Sequence, residues 1–141
     1  MVHLVKLCVG VDTIEDLLDW ERGHDTRTIH TRQTPKRAED LLNGGSLYWV
    51  IKGVILARRE ILRIDTREGD PPQCLITLST RHIPTEPQPR RAFQGWRYLE
   101  SKDAPRDLPQ GDDGAALPPE LVAALRDAGA LYKTGPQTSY Q

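Results

Sequence analysis

The run SLYWVIKGVILARREILRID, residues 46–65, constrains the fold of this chain more than any other stretch. Its aromatic and β-branched residues suit pleated, half-buried strands. It is too long for one ordinary strand, so Gly53 or the Ala57–Arg59 region is the expected break. REGDPPQ follows as a turn, because Gly69-Asp70-Pro71-Pro72 cannot sit inside a regular ladder. CLITLST, Cys74–Thr80, reads as a third strand, and its pairing with Ile61–Thr66 is the expected hairpin.

Other elements gather around this β-rich middle. HLVKLCVGV, His3–Val11, alternates as a strand, with Leu4, Lys6 and Cys8 on one side and Val5, Leu7 and Val9 on the other. Asp12 and Thr13 offer caps for a short amphipathic helix over Thr13–Arg22. HDTRTIHTRQ holds either a short strand at Thr28–Arg32 or a loop. Thr34-Pro35 reads as the start of a second helix, stopped at Asn43-Gly44-Gly45. PTEPQP, with three prolines, reads as a stiff irregular connection, and FQGWRYL as a return to strand. An acidic, Pro/Gly-rich loop is expected at about 101–117, a last helix at about 118–130 and a frayed tail at 134–141. The expected fold is α+β: one domain over 1–141, a small curled mixed or antiparallel sheet with about three helices at its flank or ends.

A chain of 141 residues is long enough for a hydrophobic core. No apolar run approaches a membrane span and no signal peptide is visible, so a cytoplasmic protein without membrane association is expected. The net charge of -1 hides a division. Residues 22–98 carry 14 Lys and Arg against 8 Asp and Glu, while both ends are acidic. Folding could gather those cations into a face for polyanions or disperse them among acidic neighbours.

The stretch RRAFQGWRYL, Arg90–Leu99, joins three arginines to a phenylalanine, a tryptophan and a tyrosine. On a strand, Gln94, Trp96 and Tyr98 share one face, and Phe93, Gly95, Arg97 and Leu99 the other. Trp96 and Tyr98 either stand open beside Arg90, Arg91 and Arg97 as base-stacking platforms, or pack into the core. In GGSLYWVIKG, Tyr48 and Lys52 alternate with Trp49, and Lys52 either meets a phosphate or is a solvated strand lysine. Gly44-Gly45-Ser46 follows a helix and lacks the Lys-Ser/Thr of a phosphate loop. HDTRTIHTRQTPKR sets Arg27, Arg32, Lys36 and Arg37 against Asp25 alone, a plausible anion-contacting segment.

The residues give little sign of chemistry. His24 and His30 lack zinc-like spacing, and Cys8 and Cys74 are isolated and read as buried thiols, so neither metal nor cofactor is expected. No familiar catalytic signature is present. A catalytic role for His30 or His82 would need a partner brought close by the fold.

Several phrases together carry a resemblance. HTRQTPKRAEDLLNGGSLYWVIKGVI, ARREIL, PQPRRAFQGWRYLESKDAPRDL and LPPELVAALRDAGAL resemble the alphaproteobacterial domain-of-unknown-function family numbered 1489, over nearly the whole chain. That family implies no activity. A looser resemblance is to PUA-like domains and their ASCH and EVE relatives: a helix ending in Gly-Gly, then YWVIKGVILARREILRI, a turn and a strand. It implies a curled pseudobarrel that binds RNA or modified bases in an aromatic and basic cleft. Tyr48, Trp49, Lys52, Arg58, Trp96 and Arg97 have the chemistry to wall such a cleft.

The expected function is therefore nucleic-acid or nucleotide binding, directed at RNA, with Arg32, Tyr48, Trp49, Lys52, Arg58, Arg90, Arg91, Trp96, Arg97 and Tyr98 as the candidate contacts. One alternative is a small enzyme in which Arg32, Arg58 and Arg91 clamp an anionic metabolite or nucleotide and His30 serves as general base. A protein-interaction module is the other. Nothing in the sequence sets an oligomeric state.

Overall fold

The structure, a computed structural model, describes residues 1–109. The expected helix at 118–130 and the tail at 134–141 lie outside the described residues, as does the acidic loop from residue 110 onward.

Seven strands and two α-helices make up the described fold, in the order β1 (Val2–Leu7), α1 (Ile14–Glu21), β2 (Thr26–Thr31), α2 (Ala38–Leu42), β3 (Ser46–Ile51), β4 (Val54–Arg67), β5 (Gln73–Ser79), β6 (Ile83–Pro89) and β7 (Trp96–Glu100). The strands form one mixed sheet in the order β2-β5-β4-β3-β1-β7, with β6 also on β4. β1 runs parallel to β3, and the other pairs are antiparallel. The sheet-dominated α+β architecture agrees with the sequence. The sheet is open, because β2 and β7 end the order without pairing, so the pseudobarrel does not close among the described residues.

β4 organises the sheet. Its first half pairs β3 and β6, and its second half, from Ile61, pairs β5. The long β-rich run breaks at Gly53 and not at Ala57–Arg59. Lys52 (φ 52°) and Gly53 (φ 79°) are both left-handed, as a two-residue hairpin turn that follows the strand twist requires. The Ile61–Thr66 and Cys74–Thr80 hairpin is present as β4–β5.

Two sequence expectations fail for tertiary reasons. PTEPQP is not an irregular connection but most of β6. Its named strand partner is β4 alone, with a register shift, and such a strand position tolerates residues without an N–H. On its other edge Glu86 N donates to Arg106 O at 2.8 Å, and Leu108 N to Pro84 O at 2.9 Å. The second helix does not start at Thr34-Pro35 but at Ala38. The intervening backbone is drawn to β7 instead: Trp96 Nε1 donates to Gln33 O, and Arg37 N donates to Tyr98 Oη.

Both faces of the sheet's centre are buried. The larger core holds Leu4, Leu17, Leu47, Trp49, Leu56 and Ile76, with α1 and α2 contributing Leu17 and Leu41. The smaller core, on the opposite side of β1 and β3, holds Val5, Tyr48, Val50, Ile55 and Leu99 under Phe93 and Ala104. Arg59 is fully buried and forms a two-bond ion pair with Glu21 at the end of α1, both contacts 2.8 Å. This pair fastens α1 to β4.

Candidate nucleic-acid interface

The strand register sets three side chains in a row. Lys6 on β1 lies opposite Trp49 on β3 and opposite Trp96 on β7. Leu4 and Cys8, two residues either side of Lys6, belong to the larger core, and Trp49 and Trp96 pack with it. The row Trp96–Lys6–Trp49 therefore faces the interior of the curl, with neighbouring strands about 4.8 Å apart. Lys6 is half-buried, and none of the ion pairs among the described residues includes it.

A cleft opens along the unpaired seam between β2 and the β1–β7 side. It has two adjoining chambers that share Lys6 and His30. One, of about 510 Å³, is walled by Trp20, Trp49, Val11, Ile29 and Cys8, with Asp16 at its edge. The other, of about 580 Å³, is walled by Arg32, Gln33, Gln94 and Trp96. Each is the size of a small-ligand pocket.

The aromatic walls are held in place. Trp20 and Trp49 meet at 81° with ring centroids 6.4 Å apart. Arg27 stacks its guanidinium 4.7 Å from the Trp20 ring and donates from Nε and Nη2 to Trp20 O. Trp96 and Tyr98 meet at 69° and 4.9 Å. Trp49 Nε1 is buried and has no acceptor among the described residues, a state that costs about 1–3 kcal/mol in a protein interior.

Electrostatics narrow the chemistry. Burial pushes the Cys8 thiol up to about 12, with Glu21 adding to the shift. A thiol so poised is not a nucleophile at neutral pH. His30, shared by both chambers, pairs through Nδ1 with Gln73 Oε1 at 3.2 Å and not with a carboxylate.

The sequence-predicted residues divide. Arg32, Trp49 and Trp96 come together in the cleft. Trp96 and Tyr98 do share the inward face, half-buried, so they neither stand fully open nor vanish into the core. Tyr48 faces the smaller core, edge-on to His3. Arg58, opposite Tyr48 in register, shares that outer side. It is bound by two 2.8 Å bonds to Asp107 and by one to Ser46 Oγ. Lys52 stands at the β3–β4 hairpin turn. Arg97 lies over Phe93 at 5.2 Å on the outer side, and Arg90 and Arg91 do not line either chamber. The arginine clamp of Arg32, Arg58 and Arg91 is accordingly not assembled.

Lys6 and Trp20 were not singled out in the sequence. Lys6 leaves a usable signal, a charge on the same strand face as Leu4 and Cys8. Trp20 leaves none, since its role depends on where α1 docks.

No helix among the described residues is long and apolar enough to cross a membrane. The chain matches the family described as "Protein of unknown function (DUF1489)" over residues 4–131. No curated protein and no solved structure matches it.

Proposed function

The chain belongs to the DUF1489 family, and we propose that it is a nucleic-acid- or nucleotide-binding domain, directed at single-stranded RNA, that binds along the β2/β1–β7 cleft. The observation that carries this reading is the row Trp96–Lys6–Trp49, a lysine with no ion pair among the described residues, set between two indoles at the floor of an open cleft. Aromatic rings offer stacking to any base, and cations offer contacts to the backbone phosphates. Arg32 adds a second cation at the rim, also without a carboxylate partner among the described residues.

The small-enzyme reading finds less support. Its clamp is divided between the two sides of the sheet, and Cys8 is held as a thiol.

Titration of the full chain with mixed single-stranded RNA, followed by tryptophan fluorescence at low and moderate salt, tests the proposal. Saturable quenching that weakens steeply with salt is the expected result, because phosphate contacts release counterions. Unchanged fluorescence, together with no binding in an independent filter or calorimetric assay, would overturn it.

A further inference from the structure

The two chambers differ in chemistry. In the first, Trp20 is 36% exposed at the rim, and it is already immobilised between Arg27 and Trp49. A ring that stacks on it meets a platform with little freedom left to lose. Because the two indoles meet at 81°, a planar group lying flat on one presents its edge to the other. A bare phosphate gains nothing from walls such as Val11 and Ile29.

The second chamber is lined by more polar side chains. Arg32, Gln33 and Gln94 are exposed and polar, and the planar fork of an arginine matches phosphate oxygens. Trp96 walls this chamber with its Nε1 fixed to Gln33 O at 2.9 Å. That bond ties β7 to the segment after β2 and holds the chamber's width. Lys6 stands where the chambers join.

Resting on the RNA-binding reading above, we infer that the cleft divides one nucleotide between its chambers. The base enters the Trp20–Trp49 chamber and stacks on Trp20, and the adjoining phosphate sits at Arg32, with Lys6 at the junction. Trp20 and Arg32 are thus binding residues of different kinds, one reading a ring and the other a charge.

The salt dependence of RNA affinity separates the two roles. The probe is a single-stranded RNA octamer of mixed sequence, bound to the full chain across a series of salt concentrations. Trp20→Ala is expected to weaken binding roughly 5- to 150-fold, the range for loss of one stacked base, with the slope of log affinity against log salt unchanged. Arg32→Gln is expected to lower the magnitude of that slope by about 0.7, the value for one single-strand phosphate. Thermal melts of both variants establish whether each is folded, and Arg32, which is exposed, tests its half even if Trp20→Ala is damaged. An unchanged slope in Arg32→Gln, a reduced slope in folded Trp20→Ala, or folded Trp20→Ala binding as tightly as wild type would each overturn the division of the nucleotide while leaving RNA binding itself standing. Failure of the wild-type chain to bind the octamer would remove the RNA reading, and this inference with it.

Discussion

Arg58 and Arg59 are neighbours on β4, yet they serve opposite sides of the sheet, and both are consumed by structure. Arg59 is buried against Glu21 and donates to His82 Nδ1 at 3.0 Å. Arg58, partly exposed, holds Asp107 and Ser46. In the cleft the pattern inverts: Lys6 and Arg32 line an open space, and no carboxylate pairs with them among the described residues. Among the described residues the fold supplies two-bond carboxylates to its structural arginines and none to its cleft cations, which on the proposed reading meet an outside anion.

The sharpest break between the two groups is expected at Glu21. Glu21→Ala leaves Arg59 buried and unpaired, and truncating one partner of such a pair costs about 3–5 kcal/mol. Urea unfolding followed by circular dichroism measures it. A loss below about 1 kcal/mol would mean that Arg59 finds water, and the contrast with the cleft would fail.

Next in size is Trp96→Ala. The variant loses a half-buried ring, its bond to Gln33 O and its edge contact with Tyr98. A loss of about 2–3 kcal/mol is expected from burial and the hydrogen bond together. Because Trp96 braces the seam as well as lining it, its variant is expected to lose RNA affinity even where it remains folded. Stability and affinity measured on the same sample separate the two effects.

This dual role also marks how far the sequence could be read. The alternation of FQGWRYL placed Trp96 and Tyr98 on one face and Leu99 on the other, since that depends only on the two-residue period of a strand. The β4–β5 hairpin was legible for the same reason, with a turn that nothing but a loop could accommodate. What stayed hidden depends on distant partners. Nothing near Arg58 announces Asp107, 49 positions away. Nothing in PTEPQP shows that it will lie along β4, and Thr34-Pro35 lost its helix start to hydrogen bonds with β7 side chains. The site residues were half-legible for that reason: residue type marked Arg32, Trp49 and Trp96, and only the register between β1, β3 and β7 brought Lys6 between the indoles.

Acid should act on the paired region first. Burial, aided by the charge of Arg59, lowers His82 to about 4. In the unfolded chain it takes its proton near 6.5. Between these values the unfolded state binds more protons, so this contribution is complete above about pH 6.5 and is lost as pH falls toward 4. His3, lowered chiefly by burial and then by Arg58, acts with the same sign. The loss attributable to His82 is expected to be about 1–2 kcal/mol after discounting its partial exposure. Urea midpoints at pH 7 and pH 5, in wild type and His82→Gln, measure it, and a pH dependence identical in both would remove His82 as its source.

The smallest stability change, and the most informative about the comparison, is expected for Lys6→Gln. A lysine held in an ion pair within a core would be costly to neutralise, because its partner would be left behind. Lys6 has no such partner among the described residues, and it is half-buried between two indoles. Removing its charge relieves desolvation and leaves no carboxylate stranded, so unfolding free energy should stay within about 0.5 kcal/mol of wild type or rise. RNA affinity should fall nonetheless, most strongly at low salt where an unscreened cation contributes most. A folded variant with unchanged stability and weakened binding places Lys6 with the cleft. A stability loss above about 1 kcal/mol with RNA binding intact would move Lys6 into the company of Arg58 and Arg59, and the seam would then be a packing defect of an open sheet and not a site.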